Sequence, residues 1–144
     1  MSQENVEIVR SICAAWEQGD FSQETDWAHP DIVYLYVDGP APSAWTGRDG
    51  MAKGFREGFL SAWDNLSLRA DEYRALDSER VLVLISRSGR GKVSGLELAQ
   101  VRSEGALLFQ VREAEVRRIA VYWERERAFS DLGLSEQDAH ADSP

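Results

Sequence analysis

Four β-forming segments in succession fill the second half of this chain and leave it few ways to fold. From residue 66 onward, β-branched and aromatic residues gather in stretches of about 66–76, 80–90, 93–111 and 115–124. Such runs, bounded by turn residues, read as strands. The separators are short and polar: "DSER" (77–80), "SRSGRGKVSG" (86–95) and "REAE" (112–115). Strands joined that closely run antiparallel. The last one alternates Ile119, Val121 and Trp123 against Arg118, Ala120 and Tyr122, which gives it two distinct faces.

The first half is mostly helical. Val6, Val9, Ile12, Cys13 and Trp16 fall at helical spacing over residues 4–18, and Gly19 is placed to stop that helix. Asp20 opens a short second helix, with Gln23 in capping-box position, and Pro30 ends it. "DIVYLYVD" (31–38) is a strand, with Ile32, Tyr34, Tyr36 and Asp38 on one face. A third helix is expected over 46–63, where Met51, Phe55, Phe59 and Trp63 recur every fourth residue. Gly50, Gly54 and Gly58 lie beside that stripe. Each interior glycine costs a helix about 0.8–1 kcal/mol relative to alanine, so another backbone is expected close to that face. A membrane-dimer reading fails because the helix also carries Arg48, Asp49, Lys53, Arg56 and Glu57.

"SRSGRGKVSG" resembles a phosphate-binding loop only superficially. Ser86 stands where that motif needs glycine, and Val93 where it needs Ser or Thr. With strands on both sides, the stretch is read as a hairpin loop. Composition excludes more. The net charge is −9 over 144 residues, and nucleic acid requires clustered positive charge. Cys13 is the one cysteine, and the two histidines are His29, in a turn, and His140, in the tail. Neither a Ser-His-Asp triad nor a zinc site is expected from that inventory, and no metal or cofactor. No apolar run approaches the ~20 residues of a membrane span. The acidic, polar start "MSQENVEIVR" is unlike a signal peptide, so a cytoplasmic location is expected. One domain is expected over 1–134, with "SEQDAHADSP" (135–144) a disordered polar tail.

Four segments, in order, resemble a known family. "AAWEQGDF" (14–21) is similar to its A-W-x-x-G-D segment, and "HPDIVY" (29–34) to its H/D-P-D-V-x-W/Y turn and strand. "WTGRDGMAKGF" (45–55) resembles its aromatic-x-G-x-x-G helix start, and "YWERERAFSDLGL" (122–134) its closing Y-x-D-R-x-x-A-L-x-x-x-G-L. The family is the SnoaL-like, or nuclear-transport-factor-2-like, superfamily. The resemblance implies an α+β fold in which a cone-shaped, curved antiparallel or mixed sheet wraps around three N-terminal helices and encloses a pocket. It also implies a homodimer through the convex sheet face, with Val33, Leu108, Ala120 and Tyr122 as candidates.

By pattern and resemblance, Trp16, Tyr34, Tyr36, Phe55, Phe59, Trp63, Leu107, Phe109, Ile119, Val121 and Trp123 line the cavity, with Trp45 near its mouth. Each of these aromatics also admits a plain core role. The expected ligand is a small hydrophobic or aromatic molecule. The family's steroid isomerases pair a carboxylate base with a tyrosine and a protonated aspartate. Alignment places Tyr36, Ile12 and Leu107 at those positions, which leaves all three roles empty. The Asp-Arg-Asp set of its epoxide hydrolases has no evident counterpart, and Arg87 is read as a cross-strand partner of Glu97. Asp38 and Tyr36 are the acid–base candidates for a cofactor-free isomerase, cyclase or lyase. The alternatives are a non-catalytic binding module and a purely structural dimer, and the turn "DGP" gives Asp38 an ordinary local role as well.

Overall fold

The computed structural model describes residues 2–18, 27–38, 43–54, 63–91 and 101–134. Helix α1 (Ser2–Glu17) is followed by β1 (Ala28–Tyr36), β2 (Ser43–Thr46) and α2 (Gly47–Gly54). Strands β3 (Trp63–Ala75), β4 (Arg80–Gly91), β5 (Val101–Arg112) and β6 (Glu115–Tyr122) come next, and then α3 (Arg125–Leu132). All six strands share one sheet in the order β2-β1-β6-β5-β4-β3. β1 and β6 run parallel, and the other neighbours antiparallel. Register breaks in β1–β6, β3–β4 and β5–β6 bend the strands that carry them. The result is a curved, mixed, unclosed sheet with helices, the α+β class expected.

Strand alternation sorts the core into two layers. Ile32, Tyr34 and Tyr36 of β1, Val81, Val83 and Ile85 of β4, Leu107 and Phe109 of β5, and Ile119 and Val121 of β6 face inward. Helix α1 lays Val9, Ile12, Cys13 and Trp16 against them, all buried, as its helical spacing predicts. Two polar ties fix its position. Asn5 Nδ2 donates to the Ser78 carbonyl at 2.8 Å, and Glu17 accepts from the Ala70 amide at 2.9 Å. The outer face holds Leu82, Leu84, Ala106, Ala120 and Tyr122, which cluster with Ala128 and Phe129 of α3. Two of the four residues expected at a dimer surface, Ala120 and Tyr122, are thus covered by the chain's own last helix, while Val33 and Leu108 keep partial exposure.

Several elements differ from expectation. Pro30 does not end a helix; it lies within β1, as does His29. Pairing with β6 shifts between Ala28 and Val33, and a bulge is where a strand tolerates a residue with no amide to donate. His29 Nδ1 accepts from the Asp31 amide there at 2.9 Å. The helix expected from Asp20, and the tail, fall outside the described residues. Trp63 opens β3, opposite Gly91, instead of ending a helical stripe; only Met51 of that stripe lies in α2, and Phe55, Phe59 and Gly58 lie outside the described residues. The backbone expected near the α2 glycines is found at Gly50, where a Cβ would lie 3.7 Å from the Trp45 carbonyl carbon. A Cβ on Gly54 would come within 2.5 Å of the Trp45 ring, so it is an indole that fills the space.

Residues 86–91 of "SRSGRGKVSG" belong to β4, paired with β3 up to Gly91 and with β5 up to Gly89, which lies opposite Val101. The β4–β5 hairpin is present, but the stretch is strand for most of the part described. The "REAE" turn is a two-residue hairpin turn with φ of 53° at Glu113 and 66° at Ala114. Asn-Gly is the pair suited to that left-handed backbone. Replacing Glu113→Asn and Ala114→Gly together is expected to raise the urea midpoint, by about 1 kcal/mol of stability.

Helix α3 is capped by Gly133, at φ 69°, and held to the sheet by Arg125. The Arg125 guanidinium donates to the carbonyl of Ile85 at 2.9 Å and to Asp71 at 3.2 Å. Asp71 also accepts from Arg69 at 3.1 Å and, at close range, from the Ser86 hydroxyl. Desolvation pushes the Asp71 carboxyl up, but the bonds from Ser86, Arg69 and Arg125 outweigh it and hold it below the usual carboxylate range. A carboxyl depressed on folding stabilises above its unfolded pKa, about 3.9, and loses that contribution as pH falls through the folded value. Asp71→Asn is expected to cost about 1 kcal/mol at pH 7, allowing for solvent screening. In urea titrations against pH, the gap to the parent protein should narrow below about pH 4.

Candidate functional site

The inner face changes character toward the ends of β1, β4 and β6. Beyond Tyr34 and Tyr36 the β1 row continues to Asp38, beyond Ile119 and Val121 the β6 row continues to Trp123, and beyond Ile85 the β4 row continues to Arg87. Trp45 comes in from β2, paired opposite Tyr34. The four rings meet one another. Tyr34 and Tyr36 lie 5.4 Å apart at 75°, Tyr36 and Trp45 5.5 Å apart at 89°, and Tyr36 and Trp123 6.2 Å apart. Edge-to-face contacts of this kind are favoured by the ring quadrupoles. Tyr34 and Tyr36 are buried, whereas Trp45 and Trp123 keep part of their surface exposed.

The phenols form a short relay. Tyr36 Oη donates to the Gly54 carbonyl at 2.9 Å, and with its proton so committed it accepts from Tyr34 Oη at 3.2 Å. Burial pushes both phenols above their usual value, and the neighbouring Tyr36 raises Tyr34 further. Both are neutral hydrogen-bonding groups at physiological pH. The relay ties β1 to the last residue of α2, while Arg48 Nε ties the start of α2 to the Ala28 carbonyl at 2.7 Å.

Asp38 accepts from two backbone amides, Trp123 N–H at 2.6 Å and Glu124 N–H at 3.2 Å, one on each oxygen. It thereby fixes the chain where β6 gives way to α3. Arg87 was missed by sequence reasoning. Its β5 partner in register is Ser103, not Glu97, which lies outside the described residues. The side chain is only 1% exposed. It crosses β5 above Gly105, donates from Nη2 to the Trp123 carbonyl at 2.6 Å, and stacks its guanidinium 4.7 Å from the Trp123 ring centre. Burial pulls the guanidinium down to about 10, with the charge of Asp38 raising it and that of Arg125 lowering it, so it stays cationic at neutral pH. The signal available in the sequence was its phase: Val81, Val83, Ile85 and Arg87 alternate along one strand face.

The remaining expected site residues divide in two. Trp16, Leu107, Phe109, Ile119 and Val121 are buried within the inner core, with Trp16 and Phe109 rings 6.2 Å apart. Phe55 and Phe59 lie outside the described residues, and of Trp63 the backbone alone is described. Ile12 and Leu107, at two positions of the steroid-isomerase set, are buried apolar residues of that same core. Cys13 is buried beside Tyr73, and burial pushes its thiol up to about 12, which leaves it unreactive. A groove of about 430 Å³ opens at the other end of the sheet, between the start of α1 and the β3–β4 and β5–β6 turns. It contains none of the expected site residues. Among the described residues no cluster of three His, Cys, Asp or Glu is placed to hold a metal, and no helix is long and apolar enough to cross a membrane.

The sequence profile of the SnoaL-like domain matches residues 9–122. The chain belongs to the SnoaL-like family. No curated protein matches it by sequence. Among solved structures, a protein of Xanthomonas campestris provisionally assigned as a polyketide cyclase superposes with a TM-score of 0.69 at 20% identity, over 90% of this chain and 97% of its own. An NTF2-like protein of Burkholderia xenovorans gives 0.65 at 24% identity, over 88% and 93%. TerC, crystallised with polyporic acid, gives 0.67 at 18% identity, over 90% and 97%. These likenesses establish the SnoaL-like fold.

The relay makes the two tyrosines unequal. Tyr36→Phe removes a donor to a carbonyl and the acceptor of a buried hydroxyl, and is expected to cost about 1–3 kcal/mol. Tyr34→Phe leaves the Tyr36–Gly54 bond intact and should cost about 0.5–1.5 kcal/mol. Thermal unfolding of the two variants tests that order.

Proposed function

We propose that this SnoaL-like protein binds a small aromatic molecule at the open end of its inner sheet face, against Trp45 and Trp123. The observation that carries this reading is the difference in exposure within one ring cluster. Tyr34 and Tyr36 are sealed in, while Trp45 and Trp123 keep accessible surface beside them. A planar ligand extends the edge-to-face array at that place and removes apolar surface from water. The co-crystal of TerC with polyporic acid lends support, since the same fold there accompanies a small organic molecule.

Binding is favoured over cofactor-free acid–base chemistry by the partners of the two candidate residues. Each Asp38 oxygen already accepts a backbone amide, and the Tyr36 proton is directed to a carbonyl inside the fold. A general base needs a lone pair within reach of the proton it removes, and one lone pair on each Asp38 oxygen is engaged by the chain itself.

Two-ring probes, 2-naphthamide and 2-naphthoate, provide the test through quenching of tryptophan fluorescence. At least one is expected to bind saturably, and Trp123→Ala should weaken that binding by about tenfold. Absence of saturable quenching by both would overturn the reading.

A further inference from the structure

We infer that the groove at the other end of the sheet, between the start of α1 and the β3–β4 and β5–β6 turns, is a second binding site, for a small aliphatic amine in its ammonium form. The carboxamide of Asn5 is its central acceptor.

Asn5 is buried, with 6% of its surface exposed, yet it lines this groove of about 430 Å³. Its Nδ2 donates to the carbonyl of Ser78, another lining residue, at 2.8 Å. Its Oδ1, a carbonyl oxygen with two lone pairs, accepts from no described residue and is not among the polar atoms sealed from solvent. An accessible acceptor on an otherwise buried side chain favours an occupant that donates hydrogen bonds. An ammonium group carries three donors and no acceptor.

The charges around Asn5 point the same way. Glu4, Glu79 and Glu113 line the groove, and Arg112 is the one cation among the described lining residues. Arg112 is committed to Glu79, which it meets through Nε at 3.1 Å and Nη2 at 3.2 Å. Glu4, in the first turn of α1, offsets the positive end of that helix. Glu113 has Arg117 at 3.8 Å, but its side chain is 80% exposed, and a pair so long and exposed holds it weakly. The balance is negative, in a protein whose net charge of −9 draws small cations. Ile8, Val111 and Ala114 add apolar surface to the lining, against which an alkyl chain leaves water. The turn presents Glu113 and Ala114 from the left-handed region, at φ 53° and 66°, where Asn-Gly would be the easier pair. A carboxylate and a methyl group are thus kept at the groove against backbone strain.

Nitrogen-15 NMR titration with 1,5-diaminopentane tests this, with 1,5-pentanediol and glutarate as five-carbon controls that are uncharged and anionic. The diamine is expected to shift the Asn5 side-chain and Ala114 amide resonances saturably and to bind at least about tenfold more tightly than the diol. Glutarate should not bind. Asn5→Ala should weaken diamine binding by about tenfold, and Glu113→Gln should weaken it as well. Glu126→Gln, on α3 and outside the groove, should leave it unchanged. The Glu113→Asn, Ala114→Gly protein, expected above to be more stable, should bind the diamine less tightly, which separates recognition from stability. Shifts that stay linear with concentration, equal binding of the diol, undiminished binding by Asn5→Ala, or an equal loss in Glu126→Gln would each overturn the inference. Should Asn5→Ala not fold, as judged by circular dichroism, the diol comparison and Glu113→Gln decide.

Discussion

A guanidinium withdrawn from water must be supplied with hydrogen bonds, ring contact and opposing charge, and meeting that demand at Arg87 arranges the open end of the sheet. The side chain starts on β4, passes over Gly105 of β5, and ends on the carbonyl and ring of Trp123, just past β6. From the other flank, Asp38 at the end of β1 takes the amides of Trp123 and Glu124. Four strands that are neighbours in the sheet are therefore tied together a second time, by side chains. The ring cluster hangs on the same anchor, since Trp123 both receives Arg87 and touches Tyr36.

The two faces of the sheet divide the labour of stability and recognition. Deep on the inner face, α1 packs Val9, Ile12, Cys13 and Trp16 onto aliphatic strand residues, and this region is solid core. Toward the open end the same face turns aromatic and polar, which is where apolar contact and a few fixed polar groups converge as in a ligand site. The outer face is closed by α3, pinned through Arg125 and Asp71. The segment from Trp123 to Arg125 belongs to both arrangements. Its first residue serves the inner site, and its last holds the outer helix to β3 and β4.

Much of this was legible in the sequence because it follows from periodicity. The α1 stripe, the inward row of Ile32, Tyr34 and Tyr36, the alternation of β6 and the "REAE" turn are local patterns with one reading. Where the reading failed, long-range pairing overrode local composition. Ser86 to Gly91 is poor in strand formers, yet pairing with β3, and with β5 as far as Gly89, makes it strand. Pro30 looks like a helix stop, and a bulge in the parallel β1–β6 pair accommodates it. Arg87 looked like a surface residue, yet it is buried, and the residue opposite it in register, which the whole hairpin fixes, is Ser103. Its burial depends on a glycine eighteen positions later, a relation that no local window contains. The fold family was legible from four spaced segments, whereas the one buried charge at the candidate site was not.

Nitrogen-15 NMR of the Arg87 Nε–H group tests the central claim most directly, because it reports on that one guanidinium in the intact protein. A buried fork stacked on Trp123 predicts a dispersed Nε–H resonance, shifted upfield by the indole ring current and protected from solvent exchange. A resonance at the position of freely solvated arginines, exchanging as fast as they do, would contradict it.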